Sequence, residues 1–255
     1  MASHGRRGGG AHLSRRAGPR HTLTESHGFR SAGSLRRPEV DRDRIIIGMV
    51  EIRDIAPGLW VWRTPHPGWS PQSDFDGPVT STCATVGGEV VVLDPLAPEP
   101  DANAAWTRLD AEPPTFAVVL KPDHVRDVDL FVRRYGAAAY GPWLFYPDDI
   151  PRSQLKPIEP GSRIASGLLA LYDGRGRAET PMWIAEHRTL VFADALTAPH
   201  GELLVWDCPA LEDRALPALR ALLELPFERV IVSHGEPIHD RKAYERALTM
   251  PPWRA

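Results

Sequence analysis

Runs of apolar residues with strand-like spacing dominate the chain between residues 50 and 140. Alternating or short continuous apolar stretches bounded by turn residues are typical of strands, and apolar residues three or four positions apart are typical of helices. These patterns predict strands at 50–55, 59–63, 80–86, 89–93 and 116–120, helices at 102–109 and 128–135, and a short strand near 138–140. The first half is therefore a group of strands followed by helices that alternate with further strands.

The same rhythm repeats in the second half. The sequence predicts a strand at 168–172, a hairpin of 181–185 and 189–192, a helix at 211–225 whose regular part begins near Pro217, a strand at 229–232 and a helix at 239–248. Strands beside strands, with helices after each group, predict an α+β fold in which two sheets lie face to face and the helices lie outside. No segment between residues 50 and 250 has the composition of a linker, which favours one domain.

Two proline-rich segments interrupt these elements. Thr64–Pro78 contains four prolines and Gly141–Ser162 contains five, so both are predicted to be irregular connections. A long loop in a compact domain often has a binding role. We therefore interpret Thr64–Pro78 as a surface loop that acts as a lid or binding flap.

The charge of the chain is unevenly distributed. Residues 1–44 contain ten arginines and four acidic residues, a net charge of +6, so the remainder carries −9 of the total of −3. The first segment is rich in Arg and Gly, and such a composition cannot form a core; it predicts a disordered basic tail at 1–44 before a domain at 45–255. The tail is either an arm for nucleic acid or a membrane surface, or an unstructured extension from an early start codon, which the position of Met49 favours.

Composition also excludes several classes of protein. The chain has no apolar run long enough for a secretory signal or a transmembrane helix, so we expect a cytoplasmic protein without a membrane partner. Two cysteines are too few for a disulfide framework or a thiolate metal cage. The charge of −9 makes nucleic acid an unfavourable partner for the domain, although not for the tail. Nothing in the sequence indicates an oligomeric state.

The loop Lys121–Asp127 is the densest group of reactive side chains. It reads Lys-Pro-Asp-His-Val-Arg-Asp and lies between a predicted buried strand and a predicted helix. A strand that ends in a polar loop before a helix is a frequent place for binding and catalytic residues. The loop is therefore the first candidate for a functional site.

Four further motifs, together with the order of elements, resemble the metallo-β-lactamase-fold superfamily. The motifs are Ile-Ala-Pro-Gly-Leu-Trp at 55–60, Val-Val-Leu-Asp-Pro at 91–95, Leu-Val-Phe-Ala-Asp-Ala-Leu at 190–196 and Val-Ile-Val-Ser-His-Gly-Glu-Pro at 230–237. The resemblance covers about residues 50–250. It implies a four-layer αββα sandwich of two face-to-face mixed β-sheets with helices outside, but a fold alone does not define a function.

The family's loop has the form His-x-His-x-Asp-His, and a later histidine, an aspartate and a final histidine complete a site for one or two metal ions, usually zinc. This chain departs from that form. If His124 is aligned with the second histidine of the family's motif, Pro122 aligns with its first histidine. Arg126 then aligns with the aspartate of the motif and Asp127 with its last histidine.

The later part of the family's pattern is only partly present. The later histidine has no counterpart, whereas Asp194 matches the bridging aspartate and His234 the final histidine. An alternative register of the loop places Lys121 and Asp123 at the first two histidines. We prefer the first register because it keeps His124 as a ligand.

These substitutions predict a degenerate metal-binding motif. Proline and arginine side chains do not ligate metals, and a permanent charge at Arg126 would cost roughly 4 kcal/mol against a unit charge about 4 Å away at an effective dielectric of 20. We therefore expect no binuclear zinc hydrolysis and no firmly bound cofactor. The resulting hypothesis is a pseudoenzyme in which Arg126 replaces the metal and pairs with Asp194 or Asp127.

Two alternatives remain at this point. A single-metal hydrolase would hold one zinc, iron or manganese ion on Asp127, Asp194 and His234, with His124 as a fourth candidate ligand. A binding module would hold an anionic small molecule without turnover. The cleft for that ligand would be lined by His66, Trp69, His124, Arg175, Arg177 and Glu179.

Overall fold

The computed structural model describes residues 44–47, 50–73, 75–172 and 179–254, the first of these ranges by its backbone alone. The predicted tail at 1–44 lies outside the described residues except for Arg44, where the first strand begins. Among the described residues, no helix is long and apolar enough to cross a membrane.

Eight strands form the first sheet in the order in which they occur along the chain. They are β1 (Arg44–Ile47), β2 (Val50–Ala56), β3 (Leu59–Pro65), β4 (Pro78–Val86), β5 (Glu89–Leu93), β6 (Phe116–Val118), β7 (Ala138–Gly141) and β8 (Lys156–Pro157). The pairs from β1 to β5 are antiparallel and those from β5 to β8 are parallel. The helices α1 (Asn103–Ala111) and α2 (Val128–Tyr135) make the crossovers between β5, β6 and β7.

The second sheet has five strands, and a short ribbon accompanies it. The elements are β9 (Arg163–Ala165), β10 (Leu168–Ala170), β11 (Met182–Ile184), β12 (Thr189–Phe192), the ribbon β13 (Leu196–Thr197) and β14 (Leu204–Val205), and β15 (Arg229–Val232). The order in the sheet is β15-β12-β11-β10-β9, with β12 and β15 parallel. The helices of this half are α3 (Leu216–Ala221) and α4 (Arg241–Ala247).

Alternating side chains place the central strands of both sheets between two apolar layers. Val61 and Leu93 from the first sheet pack with Leu168 and Ile184 from the second, in the core between the sheets. The opposite faces pack on helices, since Trp62 and Phe131 share one outer cluster and Phe192 and Tyr244 share the other. The predicted four-layer αββα sandwich is therefore confirmed.

The predicted elements differ from the observed ones mainly at their ends. The predicted helix at 211–225 begins with a π-helical turn at Leu211–Ala215, is regular only over Leu216–Ala221 and ends in a 3₁₀ turn at Leu222–Glu224. Pro217 lies in the first turn of the regular part, where its missing N–H is not needed. The short strands β1, β8, β9, β13 and β14 were not predicted, because segments of two to four residues carry too little periodicity.

The C-terminal ends of several strands meet at one edge of the sandwich. Asp94 follows β5 and its N–H donates to Val118 O in β6 (2.8 Å), while Thr80 N–H donates to Ser233 O beyond β15 (2.8 Å). The second bond joins the two sheets at this edge. Loops that follow parallel strands at such an edge are where ligands bind in α/β sheets.

The outer helical layer depends on Phe131. This fully buried side chain of α2 stacks on Trp62 of β3 and on Trp106 of α1, with ring centroids 6.1 and 6.4 Å away. We predict that Phe131→Ala lowers the free energy of unfolding by roughly 3–5 kcal/mol, because it leaves a cavity between two helices and the sheet. Urea denaturation measures this cost, with Phe131→Leu as the milder control; equal midpoints for Phe131→Ala and the parent would contradict this packing.

Candidate functional site

Nine residues from both halves of the chain line a cavity of about 230 Å³ at the edge where the strands end. They are His66, Phe75, Lys121, Asp123, His124, Arg126, Asp194, Trp206 and His234. The loop Lys121–Asp127 contributes four of them, so the first candidate from the sequence does lie at this cavity.

Asp94 determines the orientation of His124. The buried Asp94 carboxylate accepts the N–H of Leu120 on Oδ1 (2.7 Å), and its Oδ2 lies 2.8 Å from Nδ1 of His124. Ser233 Oγ is a further donor to Asp94 Oδ2 at 3.4 Å. These contacts hold the His124 ring with Nε2 towards the cavity. The sequence contained a signal for Asp94 in its position at a strand end, but we had assigned it no role.

Backbone contacts fix Asp194 and His234 after their strands. Glu179 Oε2 accepts the N–H of Asp194 and, at 2.9 Å, that of Ala195. The carbonyl of His234 accepts the N–H of Ala198 at 2.8 Å. The next residue, Gly235, has a φ of +131°, and a Cβ there would lie 2.5 Å from Ala198 O, so only glycine fits.

Three buried ligand atoms converge between these elements. Asp194 Oδ1 lies 3.4 Å from His124 Nε2 and 3.3 Å from His234 Nε2, and all three atoms lie within 4.8 Å of one another. Asp194 Oδ1 is buried and accepts no hydrogen bond of normal geometry, so the two imidazoles at ion-pair distance are its neighbours in the absence of an ion. We call His124, Asp194 and His234 the triad.

The triad has the spacing of a metal site. In a tetrahedral site with bonds of about 2.0–2.1 Å to imidazole and carboxylate, neighbouring ligand atoms lie about 3.4 Å apart. The two distances from Asp194 Oδ1 to the histidine nitrogens match this spacing, and a buried carboxylate oxygen without a hydrogen bond of normal geometry is an atom that a cation would satisfy. The His124 Nδ1 bond to Asp94 is also the arrangement that supports metal-binding histidines. One ion therefore fits these residues.

Lys121 occupies the other side of the same carboxylate. Its ammonium Nζ lies 2.9 Å from Asp194 Oδ2 and also pairs with Asp123 Oδ2. The Lys121 side chain is only 8 % exposed, so this pair is held inside the protein. Our preferred register of the loop gave Lys121 no role; the structure places it at the centre of the site.

The charges around the triad perturb its titration. Burial lowers the pKa of His124, but the carboxylates of Asp194 and Asp94 outweigh burial and Arg126 and raise the pKa to about 9. Burial raises the pKa of Asp194, yet the two histidines hold it well below its usual range. For His234 burial dominates and lowers the pKa. Without a bound ion, His124 and Asp194 are thus an ion pair at neutral pH.

Glu179 lies under the triad rather than at the rim of the cleft, where we had predicted it. It is 1 % exposed, and burial, reinforced by the charge of Asp194, raises its pKa to about 7. Its role is to accept the two backbone N–H groups that fix Asp194.

Arg126 and Asp127 do not make the contacts expected of them. Arg126 Nη1 donates to the carbonyls of Thr80 (3.1 Å) and Asp94 (2.7 Å), not to Asp194 or Asp127. Asp127 Oδ2 accepts the N–H of Ala97 (2.8 Å), because the start of α2 directs this side chain towards the loop after β5. Asp127 therefore does not join the triad, which consists of the other three candidate ligands.

The remaining predicted residues are dispersed. His66 lines the triad cavity, and burial and Arg126 lower its pKa. Trp69 lines a different, larger cavity of about 740 Å³, and its Nε1 donates to Phe75 O at 2.8 Å. Arg175 and Arg177 lie outside the described residues.

Solved structures with the same architecture are readily found. A metallo-beta-lactamase from Erythrobacter litoralis aligns with a TM-score of 0.60 and 19 % identity, over 83 % of this chain and 96 % of that one. The DIM-1 metallo-beta-lactamase aligns with a TM-score of 0.59 and 12 % identity, over 78 % and 95 % of the two chains. A metallo-beta-lactamase family protein from Thermus thermophilus aligns with a TM-score of 0.56 and 18 % identity, over 77 % of this chain and 80 % of that one.

Comparisons of sequence alone give no such match. No protein-family model matches the chain, and no curated protein matches it. The likeness therefore rests on the fold, which aligns over 77–83 % of this chain and 80–96 % of these solved structures. This chain has the metallo-β-lactamase fold.

Proposed function

We propose that the protein is a hydrolase that uses one metal ion, held by His124, Asp194 and His234. The observation that supports this function is the convergence of three buried ligand atoms at 3.3 and 3.4 Å on an otherwise unpartnered carboxylate oxygen. Two imidazoles and a carboxylate suit zinc, iron or manganese. The triad contains three of the four candidate ligands expected from the sequence and leaves out Asp127.

The remaining residues of the site would prepare it for hydrolysis. A metal ion in such a site lowers the pKa of a bound water and so supplies hydroxide near neutral pH. Asp94 keeps Nε2 of His124 available as a ligand by binding Nδ1. Phe75 and Trp206 pack on His234 with ring centroids 4.6 and 5.5 Å away, and these apolar walls limit the water that reaches the triad.

The comparisons do not supply a substrate. The relatives named metallo-beta-lactamase are 12–19 % identical to this chain, a level at which the likeness concerns the fold. We therefore assign a reaction class, hydrolysis, and no β-lactam specificity.

Removing one triad histidine tests the ligand set. We expect the wild-type protein to retain one equivalent of zinc or manganese after loading and dialysis, and His234→Ala to retain less than about a tenth of an equivalent, because two protein ligands do not hold the ion firmly. Elemental analysis by mass spectrometry measures both values. His66→Ala is the matched control, a histidine of the same cavity outside the triad; a wild-type protein without metal, or equal loss in both variants, would refute the ligand set.

A second test addresses the support of His124. Asp94→Asn keeps a carbonyl oxygen for the Leu120 N–H but replaces the charged partner of His124 Nδ1. We expect metal affinity to fall by about 10- to 100-fold, as is typical when such a partner is changed. Competition with a fluorescent chelator measures the affinity. Asp129→Asn, which changes a carboxylate of α2 that binds the N–H groups of Arg152 and Ser153, is the control and should leave the affinity unchanged.

A metal-free binding module is the second candidate function. The observation in its favour is Arg126, which lines the cavity and uses only Nη1 for its two hydrogen bonds, so that Nε and Nη2 have no partner among the described residues. A planar guanidinium with free N–H groups suits a carboxylate or phosphate. In this proposal the metal site is degraded, and the protein is a pseudoenzyme that binds an anionic small molecule.

Phosphate binding to chelator-treated protein tests the second candidate. Inorganic phosphate should raise the melting temperature of the wild type progressively, because a ligand of the native state stabilises it by mass action. Arg126→Gln should abolish that rise. Arg133→Gln, an exposed arginine of α2, is the control and should retain it; a rise of equal size in all three proteins would mean that Arg126 is not the anion site.

A further inference from the structure

We propose that the Lys121 ammonium occupies the position that a second metal ion would take in this site. The metal centre is then limited to one ion. The inference rests on the proposed function, since it concerns the same carboxylate. Asp194 presents Oδ1 to the two histidines, and its Oδ2 lies 2.9 Å from Lys121 Nζ. One carboxylate is thus shared between a position that fits an ion and a position already filled by an ammonium group.

A second carboxylate, that of Asp123, also forms an ion pair with this ammonium. Asp123 Oδ2 also contacts Lys121 Nζ, so the group lies between two acidic side chains from different parts of the chain. Carboxylate oxygens are also ligands of divalent cations, so a cation and the ammonium would compete for the same two atoms. The ammonium satisfies both oxygens without any ion.

The environment of Lys121 keeps its charge in place. The side chain is 8 % exposed, whereas Asp123 is 36 % exposed, so the ammonium is enclosed on the side of Asp194 and open to solvent beyond Asp123. A second metal ion at Asp194 Oδ2 would have to displace this buried positive charge or approach it closely, and both are unfavourable. Among the described residues, no second group of three candidate metal ligands accompanies the triad.

A lysine side chain differs from a second metal ion because it is part of the chain and is always present in the site. A chelator removes a metal ion, but it cannot remove Lys121, so the positive charge on Asp194 Oδ2 remains whatever the metal supply. The same ammonium lines the cavity next to the triad. It therefore provides a fixed positive charge at the site where a two-metal enzyme would use its second ion to stabilise a negatively charged group.

Metal counting on Lys121 variants tests this inference without any activity assay. Wild type, Lys121→Met, Lys121→Gln and Lys121→Arg are titrated with zinc in a calorimeter, which gives the number of ions bound per chain, and circular dichroism confirms that each is folded. We expect one strong zinc site in all four proteins and a second, weaker site in Lys121→Met and Lys121→Gln only, because Asp123 and Asp194 are then both free to bind a cation, which two carboxylates hold weakly.

The outcomes separate this inference from the proposed function. An equal number of ions in the wild type and in both neutral variants would overturn the role of Lys121. A wild type without zinc would refute the single-metal hydrolase, and a gain of ions in the neutral variants would in that case still support Lys121 as the group that excludes a cation. If one neutral variant does not fold, the other provides the comparison.

Discussion

The carboxylate of Asp194 connects every part of the site. Its Oδ1 faces two histidines, one from the loop after β6 and one from the loop after β15, and its Oδ2 binds Lys121. Burial makes this arrangement sensitive to its partners, because a buried carboxylate without compensating charge is costly. The position of this one group therefore underlies both proposals, a single ion on one oxygen and a lysine on the other.

The two sheets hold this carboxylate by placing strained loops at one edge. Asp94 and Arg126 both have a φ of +45°, an unusual conformation for residues with a side chain. Such residues cost about 1–3 kcal/mol each and are found where surrounding contacts compensate. Here the compensation is visible, since Asp94 binds Leu120 and His124 and Arg126 binds two carbonyls. These contacts hold Asp94 against His124 and Arg126 at the cavity.

The architecture was largely predictable from the sequence because alternating apolar residues define which strand faces are buried. Val61 and Trp62, neighbours in β3, pack in different layers as alternation requires. Asp194 and His234 were also predictable, since each follows a strand whose apolar residues are clear. The short ribbon and edge strands were not, because they contain too few residues for a period to appear.

The partners within the site were harder to predict. Spacing along a loop does not reveal which side chain turns inwards, so Asp127 was chosen as a ligand although it binds Ala97, and Lys121 was left without a role although it reaches Asp194. Arg126 was expected to pair with a carboxylate and instead binds backbone carbonyls, which have no sequence signature. Contacts of this kind depend on loop geometry and not on residue type.

We have proposed that one ion binds the triad while Lys121 occupies the other side of the Asp194 carboxylate, at Oδ2. Anomalous diffraction at the zinc edge, from crystals grown with excess zinc, tests it most directly. We expect a single peak within bonding distance of His124, Asp194 and His234, with the Lys121 ammonium still on Asp194. Two peaks on either side of the Asp194 carboxylate, or none at the triad, would contradict it.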